Sequence, residues 1–95
     1  MFITTTIKQN DVVTFKLNSG EEVVGRLKED GETSYTLLKP MTFLMGPQGL
    51  GLVPFVFSAP QDADVDITKS CVNTVIKTDE TIAKQYMKQT TGLIV

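Results

Sequence analysis

One run of the chain, Val12–Lys39 (VVTFKLNSGEEVVGRLKEDGETSYTLLK), constrains the fold most strongly, because it combines alternating apolar residues with two spaced glycines. Residues 11–17 alternate with the period of a half-buried strand. Gly20 is free to take a positive φ in a tight turn, and Gly25 lies inside the next strand. A glycine within a strand allows the backbone to bend sharply around a narrow core. The run therefore predicts a small, strongly bent antiparallel barrel.

The rest of the alternation predicts further strands at residues 22–28, from Thr33, at Leu50–Phe57, briefly at 65–67, and at Cys71–Lys77. The Leu50–Phe57 strand is apolar except for its glycine, so we expect it to be buried on both faces. Pro54 has no amide hydrogen to donate, so one edge of this strand is expected to be incompletely paired.

The end of the chain changes period. From Asp79 onward the apolar side chains recur at helical spacing, which predicts a helix over about 79–91. Thr78 or Asp79 can cap its start, and Glu80 can pair with Lys84 one turn later. Residues 2–7 are predicted as an N-terminal extension or edge strand, and residues 93–95 are expected to dock on a neighbouring surface.

Length and composition indicate one soluble domain spanning residues 1–95, with its core at about 11–77 and the helix after it. No segment resembles a signal peptide or a membrane span, so we expect no membrane partner. The single cysteine, Cys71, is consistent with a reducing compartment, and the cytoplasm is the predicted location. A net charge of −2 argues mildly against nucleic acid, although basic residues can still gather on one face.

Residues that carry common chemistry are scarce. The chain has no histidine and one cysteine, which excludes His/Cys zinc sites and histidine-dependent triads. Asp62, Asp64 and Asp66 alternate, but the glycine and glutamate of a calcium loop do not follow, so a solvated strand face is the favoured interpretation. Cys71 is expected to be a buried, inert thiol. We therefore predict no enzymatic activity, no metal and no cofactor.

Two segments resemble the Sm and Sm-like proteins. LNSGEEVVGRLKED…SYTLL is similar to their first signature segment, with Gly20, Gly25 and Leu38 in the corresponding places. ITKSCVNTVI is similar to the second segment of the bacterial Sm-like RNA chaperone: Lys69 matches its lysine, and Ser70 stands where the family has histidine. The final segment, ETIAKQYMKQTTGLIV, resembles small Sm-like proteins of tailed phages, for which the location would be the host cytoplasm.

The resemblance implies an SH3-type, strongly bent five-stranded antiparallel barrel followed by the C-terminal helix. It also implies that the fourth strand of one subunit pairs with the fifth of the next, closing a homo-oligomeric ring of about five to seven copies. In the family, single-stranded RNA binds near the pore of the ring. An apolar strand with an open edge promotes aggregation in a monomer, and pairing with the next subunit of a ring covers that edge.

The resemblance places the RNA contacts at Ser34, Tyr35, Lys69 and Ser70. In the sequence comparison, Tyr35 stands at the position of the family's asparagine and Ser34 at the position beside it. Gly31 stands at the position of the family's aspartate, and the Arg-Gly pair of the archaeal and eukaryotic second segment is missing. Lys69 is a candidate phosphate or uracil contact and equally a solvated lysine. Tyr35 is a candidate stacking residue, although a core-edge aromatic is the favoured interpretation.

Two functions follow from these observations. The first is a homo-oligomeric ring that binds single-stranded RNA through its pore face. The second keeps the ring but makes it a structural or protein-interaction module without RNA, because the protein is acidic and lacks several family contacts. Dispersal of Lys16, Arg26, Lys28, Lys39 and Lys69 over the surface would favour the second.

Overall fold

The computed structural model describes residues 7–60 and 62–91, which form a compact, mainly β fold with one C-terminal helix. The elements are β1 (Val12–Leu17), β2 (Glu22–Asp30), β3 (Ser34–Gly46), β4 (Gly49–Pro54), β5 (Asp64–Thr68), a 3₁₀ turn (Lys69–Cys71), β6 (Val72–Lys77) and α1 (Glu80–Thr91). The predicted β-rich class and the helix near residues 79–91 are therefore confirmed. The predicted segments 2–6 and 93–95 lie outside the described residues.

All strand pairs are antiparallel, and the main path of the sheet runs β4-β3-β2-β1-β6. β3 pairs with β2 along one edge. Its other edge is shared by two strands, because Ser34–Leu38 pairs with β5 and Met41–Gly46 pairs with β4. Among the described residues the pairing does not close on itself, so the sheet has six strands and is not the closed barrel of five that the sequence predicted. The difference arises because the short segment near 65–67 is a full strand, and β4 and β5 occupy different halves of the same edge.

Two apolar clusters lie on opposite faces of the sheet. The larger one is the interior, formed by Val13, Phe15, Leu17, Val23, Leu27, Tyr35, Leu37 and Ile67. The smaller one lies beneath α1 and is formed by Val24, Met41, Leu52 and Tyr86. Successive strand residues point to opposite faces, which is why neighbours such as Val23 and Val24 enter different clusters.

A bulge between β2 and β3 bends the sheet. The register passes from Val24↔Met41 to Arg26↔Leu38, so the two residues Lys39 and Pro40 oppose Gly25 alone. Lys39 takes a φ of 46°, in the left-handed region. A Cβ at position 25 would lie 3.0 Å from Cδ1 of Leu37, a tighter contact than most Cβ atoms make, so the Leu37 side chain would have to shift. The absence of a side chain at Gly25 therefore allows the interior to pack at the bend.

The hydroxyl of Tyr86 satisfies the irregular backbone at this bulge. It accepts a hydrogen bond from the amide of Arg26 (3.2 Å) and can donate to the carbonyl oxygens of Leu38 (2.7 Å) and Lys39 (3.0 Å). The side chain is 1% exposed. Buried backbone groups without partners are costly, so this one hydroxyl ties α1 to the bent part of the sheet.

The ends of α1 are fixed as the sequence predicted. The Asp79 carboxylate accepts hydrogen bonds from the amides of Thr81 (3.1 Å) and Ile82 (3.4 Å), and so caps the first turn. The ammonium of Lys84 lies 3.3 Å from the carboxylate of Glu80. At the other end, Gln89 donates to the Leu52 carbonyl (2.7 Å), so the helix crosses the sheet to β4.

Two burial predictions are wrong. The segment predicted as a strand buried on both faces ends earlier, at Pro54, and Leu50 and Phe57 are 54% and 81% exposed. Cys71 is exposed and not a buried thiol. It lies in the 3₁₀ turn, where the side chains do not point into the interior.

We predict that Gly25→Ala destabilises the fold by about 1–3 kcal/mol, because the new methyl group overpacks the interior against Leu37. The free energy of unfolding in urea measures the effect. Gly51→Ala is the matched control, since a Cβ there lies 3.9 Å from its nearest neighbour, the Leu44 carbonyl. Equal losses in the two variants would contradict the bend assigned to Gly25.

We predict that Tyr86→Phe costs about 1–3 kcal/mol, because it leaves buried backbone groups of β2 and β3 without their partner. Tyr35→Phe is the control, since the structure assigns its hydroxyl no hydrogen bond within the described residues. Burial raises the pKa of Tyr86 above its usual 10.0, so the folded state holds this proton more tightly than the unfolded chain. Stability from this group is complete below about pH 10 and is lost as the pH rises through the folded pKa. The wild type should lose more stability than Tyr86→Phe over that range.

Candidate functional site

The structure brings three of the four sequence-predicted contact residues together at one end of the sheet. Ser34 and Thr68 are register partners, and the amide of Lys69 donates to the Thr33 carbonyl (2.9 Å). Tyr35 is the next residue along β3, and its ring centroid lies 4.7 Å from Nζ of Lys69. The loop between β2 and β3 and the start of the 3₁₀ turn therefore form one continuous surface.

Lys69 is the charged centre of this surface. Its ammonium lies 2.6 Å from a carboxylate oxygen of Asp30, the last residue of β2. The hydrogen bond to Asp30 raises the pKa of Lys69 above its usual 10.5, so the side chain carries a full positive charge at neutral pH. The Lys69 side chain is 34% exposed, so water and dissolved anions reach it.

Tyr35 is a core residue in this conformation. It is 6% exposed, and its ring centroid lies 4.8 Å from that of Phe15 in the interior. Lys69 covers the ring, a cation–π arrangement. A nucleobase could stack on Tyr35 only after the Lys69 side chain had moved away.

Ser70 lies apart from the other three residues, on the opposite side of the 3₁₀ turn. Its carbonyl accepts a hydrogen bond from Nδ2 of Asn18 (2.7 Å), and the amide of Asn18 donates to the Cys71 carbonyl (2.8 Å). The backbone of Ser70 therefore lies against the turn between β1 and β2, and the residue is exposed. The 3₁₀ turn is fixed from both sides, by Thr33 and by Asn18.

Two residues of the site were interpreted from the sequence only as turn formers. Asp30 precedes Gly31 in a dipeptide typical of hairpins, and Asn18 begins a tight turn. Local sequence contains no signal that Asp30 meets Lys69, because the two residues are brought together by the pairing of β3 with β5.

The other basic residues considered for binding do not gather around Lys69. Nζ of Lys16 lies 3.9 Å from a carboxylate oxygen of Glu22, at the start of β2. Lys28, near the end of β2, has its Nζ 2.5 Å from a carboxylate oxygen of Asp64. Lys39 donates to the Thr90 carbonyl at the end of α1 (2.7 Å). Three of the five cations are thus paired with carboxylates, and the set is dispersed over the sheet.

The alternating aspartates lie along β5 and the residues before it. Asp64 pairs with Lys28, and Asp66 accepts a hydrogen bond from the Thr36 hydroxyl (2.6 Å). Among the residues that the structure describes, no group of three acidic, cysteine or histidine side chains is arranged to hold a metal ion.

Apolar side chains are exposed around the β3–β4 hairpin and the segment that follows it. The large ones are Leu44, Met45, Leu50, Val56 and Phe57. A cleft of about 370 Å³ opens beside them where β4 and β5 separate, with Pro40, Val56, Phe57 and Val65 in its walls. No residue between Pro40 and Gln61 is charged. This part of the surface is therefore a neutral apolar region, distinct from the Lys69 surface.

Comparison with models of known protein families gave no match, and comparison with curated proteins gave none either. The helix α1 has 12 residues, and the described part of the chain contains no helix that is long and apolar enough to cross a membrane. Function is accordingly argued from the geometry of the chain itself.

Proposed function

We propose that the protein is a homo-oligomeric, Sm-like ring module of the cytoplasm, with a site for single-stranded RNA beside Lys69. The proposal includes the finer fold assignment, in which the bent six-stranded sheet is the SH3-type barrel of Sm-like proteins. The observation that carries it is that the two terminal strands of the sheet, β4 and β6, each have one edge without a partner strand among the described residues.

The free edges of β4 and β6 are suited to pair with each other. Each strand has six residues, and each is paired antiparallel on its inner edge. A strand edge exposes unpaired amides and carbonyls, which pair readily with another chain. Because the two edges belong to different ends of one sheet, pairing them between copies is a head-to-tail contact, which forms a ring when the rotation between successive copies closes.

The side chains of these strands support the same contact. Leu50 on β4 is 54% exposed and Ile76 on β6 is 46% exposed. The absence of charge between Pro40 and Gln61 means that burying the β4 side of the contact removes no ionised side chain from water. Burial of apolar surface contributes about 25 cal/mol per Å², so covering this region stabilises an assembly.

The RNA site is supported by the cation and aromatic ring at the end of the sheet. Lys69 supplies a positive charge for a phosphate, and Tyr35 supplies a ring against which a base can stack. Ser34 precedes Tyr35 on β3 and pairs in register with Thr68, the residue before Lys69. A ring would repeat this arrangement once in every subunit, so weak contacts would act together.

A second candidate is a structural or protein-interaction ring that binds no RNA. The observation that favours it is the dispersal and pairing of the cations, since Lys16, Lys28 and Lys69 each lie beside a carboxylate. Phosphate binding needs positive charge that is not already neutralised. The two candidates share the assembly and differ only in the ligand.

We predict that the native mass of the protein is several times the 10.4 kDa of one chain. Ile76→Glu should shift the mass toward that of the protomer, because it places a charge in the contact between β6 and β4. Native mass spectrometry measures both. Gln85→Glu, on the exposed side of α1, is the control with the same added charge. A wild-type protomer at all concentrations would contradict the assembly.

A mixture of two variants tests the head-to-tail arrangement. Leu50→Glu alters only the β4 side of the contact, and Ile76→Glu alters only the β6 side. Each variant alone should fail to associate. Mixed together, they retain one intact contact and should form a dimer of the two different chains, whereas a self-complementary interface would not give this result.

We predict that the protein binds a labelled oligouridine at low salt, with an affinity that falls steeply as salt increases. Lys69→Ala should weaken binding roughly fivefold, which corresponds to about 1 kcal/mol. Lys84→Ala, in an exposed ion pair on α1, is the control with the same loss of charge. Fluorescence anisotropy at several salt concentrations gives both values.

The folded state of Lys69→Ala must be checked beside its binding. Its ion pair with Asp30 is exposed, so its loss should change the free energy of unfolding by less than about 1 kcal/mol. No binding by the wild type at low salt, or equal binding by the two alanine variants, would reject the RNA site and favour the second candidate.

A further inference from the structure

We propose that Asp30 competes within the molecule for the anion site. Its carboxylate pairs with the Lys69 ammonium until a phosphate displaces it. The inference rests on the proposed RNA site and concerns its regulation. It assigns a role to a residue that local sequence indicates only as the beginning of a turn.

The backbone of the fold places Asp30 and Lys69 beside each other. Asp30 is held by β2–β3 pairing, in which it is the register partner of Tyr35. Lys69 is held by its amide, which donates to the Thr33 carbonyl (2.9 Å). Both residues are thus fixed by their backbones on either side of β3, and their side chains meet with 2.6 Å between Nζ and Oδ1.

One movement of Lys69 changes two properties of the site. In the paired state the Lys69 ammonium is neutralised by Asp30 and its side chain covers the Tyr35 ring. When the pair opens, a cation and one face of an aromatic ring become available together. A ligand that carries both a phosphate and a planar base uses both groups, whereas a simple polyanion uses only the cation. Asp30 should therefore lower the affinity for every anion by about the same factor, whereas the Tyr35 ring adds affinity for nucleotides alone.

The expected strength of the competition follows from the solvent exposure of the two paired side chains. The side chains of Lys69 and Asp30 are 34% and 50% exposed, and ion pairs of this kind are weak. An anion that must displace Asp30 should lose about two- to fivefold in affinity. The competition therefore adjusts binding and does not abolish it.

The decisive variant is Asp30→Asn, which keeps the size of the side chain and removes its charge. We expect it to bind a labelled oligouridine about two- to fivefold more tightly than the wild type. Glu32→Gln is the matched control, because it removes the same charge from an exposed position two residues away in the same loop. Its effect should be smaller and should disappear at higher salt, where distant charges are screened.

A double-mutant cycle localises the effect to Lys69. The gain from Asp30→Asn should vanish in the Lys69→Ala background, because the competing pair no longer exists there. An abasic oligonucleotide of equal length tests whether the competition acts on the phosphate alone. Asp30→Asn should gain about the same factor in affinity for the abasic strand as for oligouridine, because both ligands displace the same carboxylate.

The outcomes separate this inference from the proposed function. Tighter binding by Asp30→Asn than by Glu32→Gln, lost with Lys69→Ala, supports the competition. If the wild type binds but Asp30→Asn and Glu32→Gln behave alike, the competition is refuted and the RNA site stands. If no variant binds at low salt, the RNA site and the competition both fail.

A measurement without RNA tests the pair directly. Asp30 raises the pKa of Lys69, so Asp30→Asn should lower that pKa and increase the fraction of neutral amine. Acetylation of Lys69, followed by mass spectrometry, should then proceed faster relative to the exposed Lys88 in the same molecule. An unchanged ratio would show that the pair does not form in solution and would overturn the inference.

Discussion

A single hydroxyl, that of Tyr86, completes the hydrogen bonds of the backbone where β2 and β3 bend. The bend requires an irregular register, because two residues of β3 oppose Gly25 alone, and irregular register leaves amides and carbonyls without partners. The tyrosine supplies those partners from α1, at 1% exposure. The helix is therefore part of the fold and not an appendage, since it covers these backbone groups and also supplies their hydrogen-bond partner.

Covering both faces of the sheet leaves its edges as the remaining places for a partner strand. The interior cluster occupies one face, and α1 covers part of the other. β4 and β6 then end the sheet with open edges, and the neutral stretch from Pro40 to Gln61 leaves apolar side chains exposed beside β4. In a chain this small, association with another copy is a common way to cover such a surface.

The candidate site combines residues that the sequence indicates with one that only the tertiary structure adds. Lys69 and Tyr35 were predicted from their resemblance to two separate family segments, and the pairing of β3 with β5 places them side by side. Asp30 was missed because its contact with Lys69 joins residues far apart in the chain. The burial of Cys71 and Phe57 was also predicted wrongly, because an apolar neighbourhood in sequence does not show which way a side chain points.

The amino-acid sequence alone determined the β-rich class, the turn at Gly20, the need for glycine at position 25, and the cap and length of α1. These features depend on local periodicity and on backbone conformations that few residues adopt, so they can be read from neighbouring residues. The tertiary structure alone decided that β3 pairs with two strands along one edge. It also decided that the Tyr86 hydroxyl bonds to the backbone at the bulge and that Asp30 forms an ion pair with Lys69. Those contacts join distant parts of the chain, and only the packing of the whole sheet selects them from the many pairings that local patterns allow.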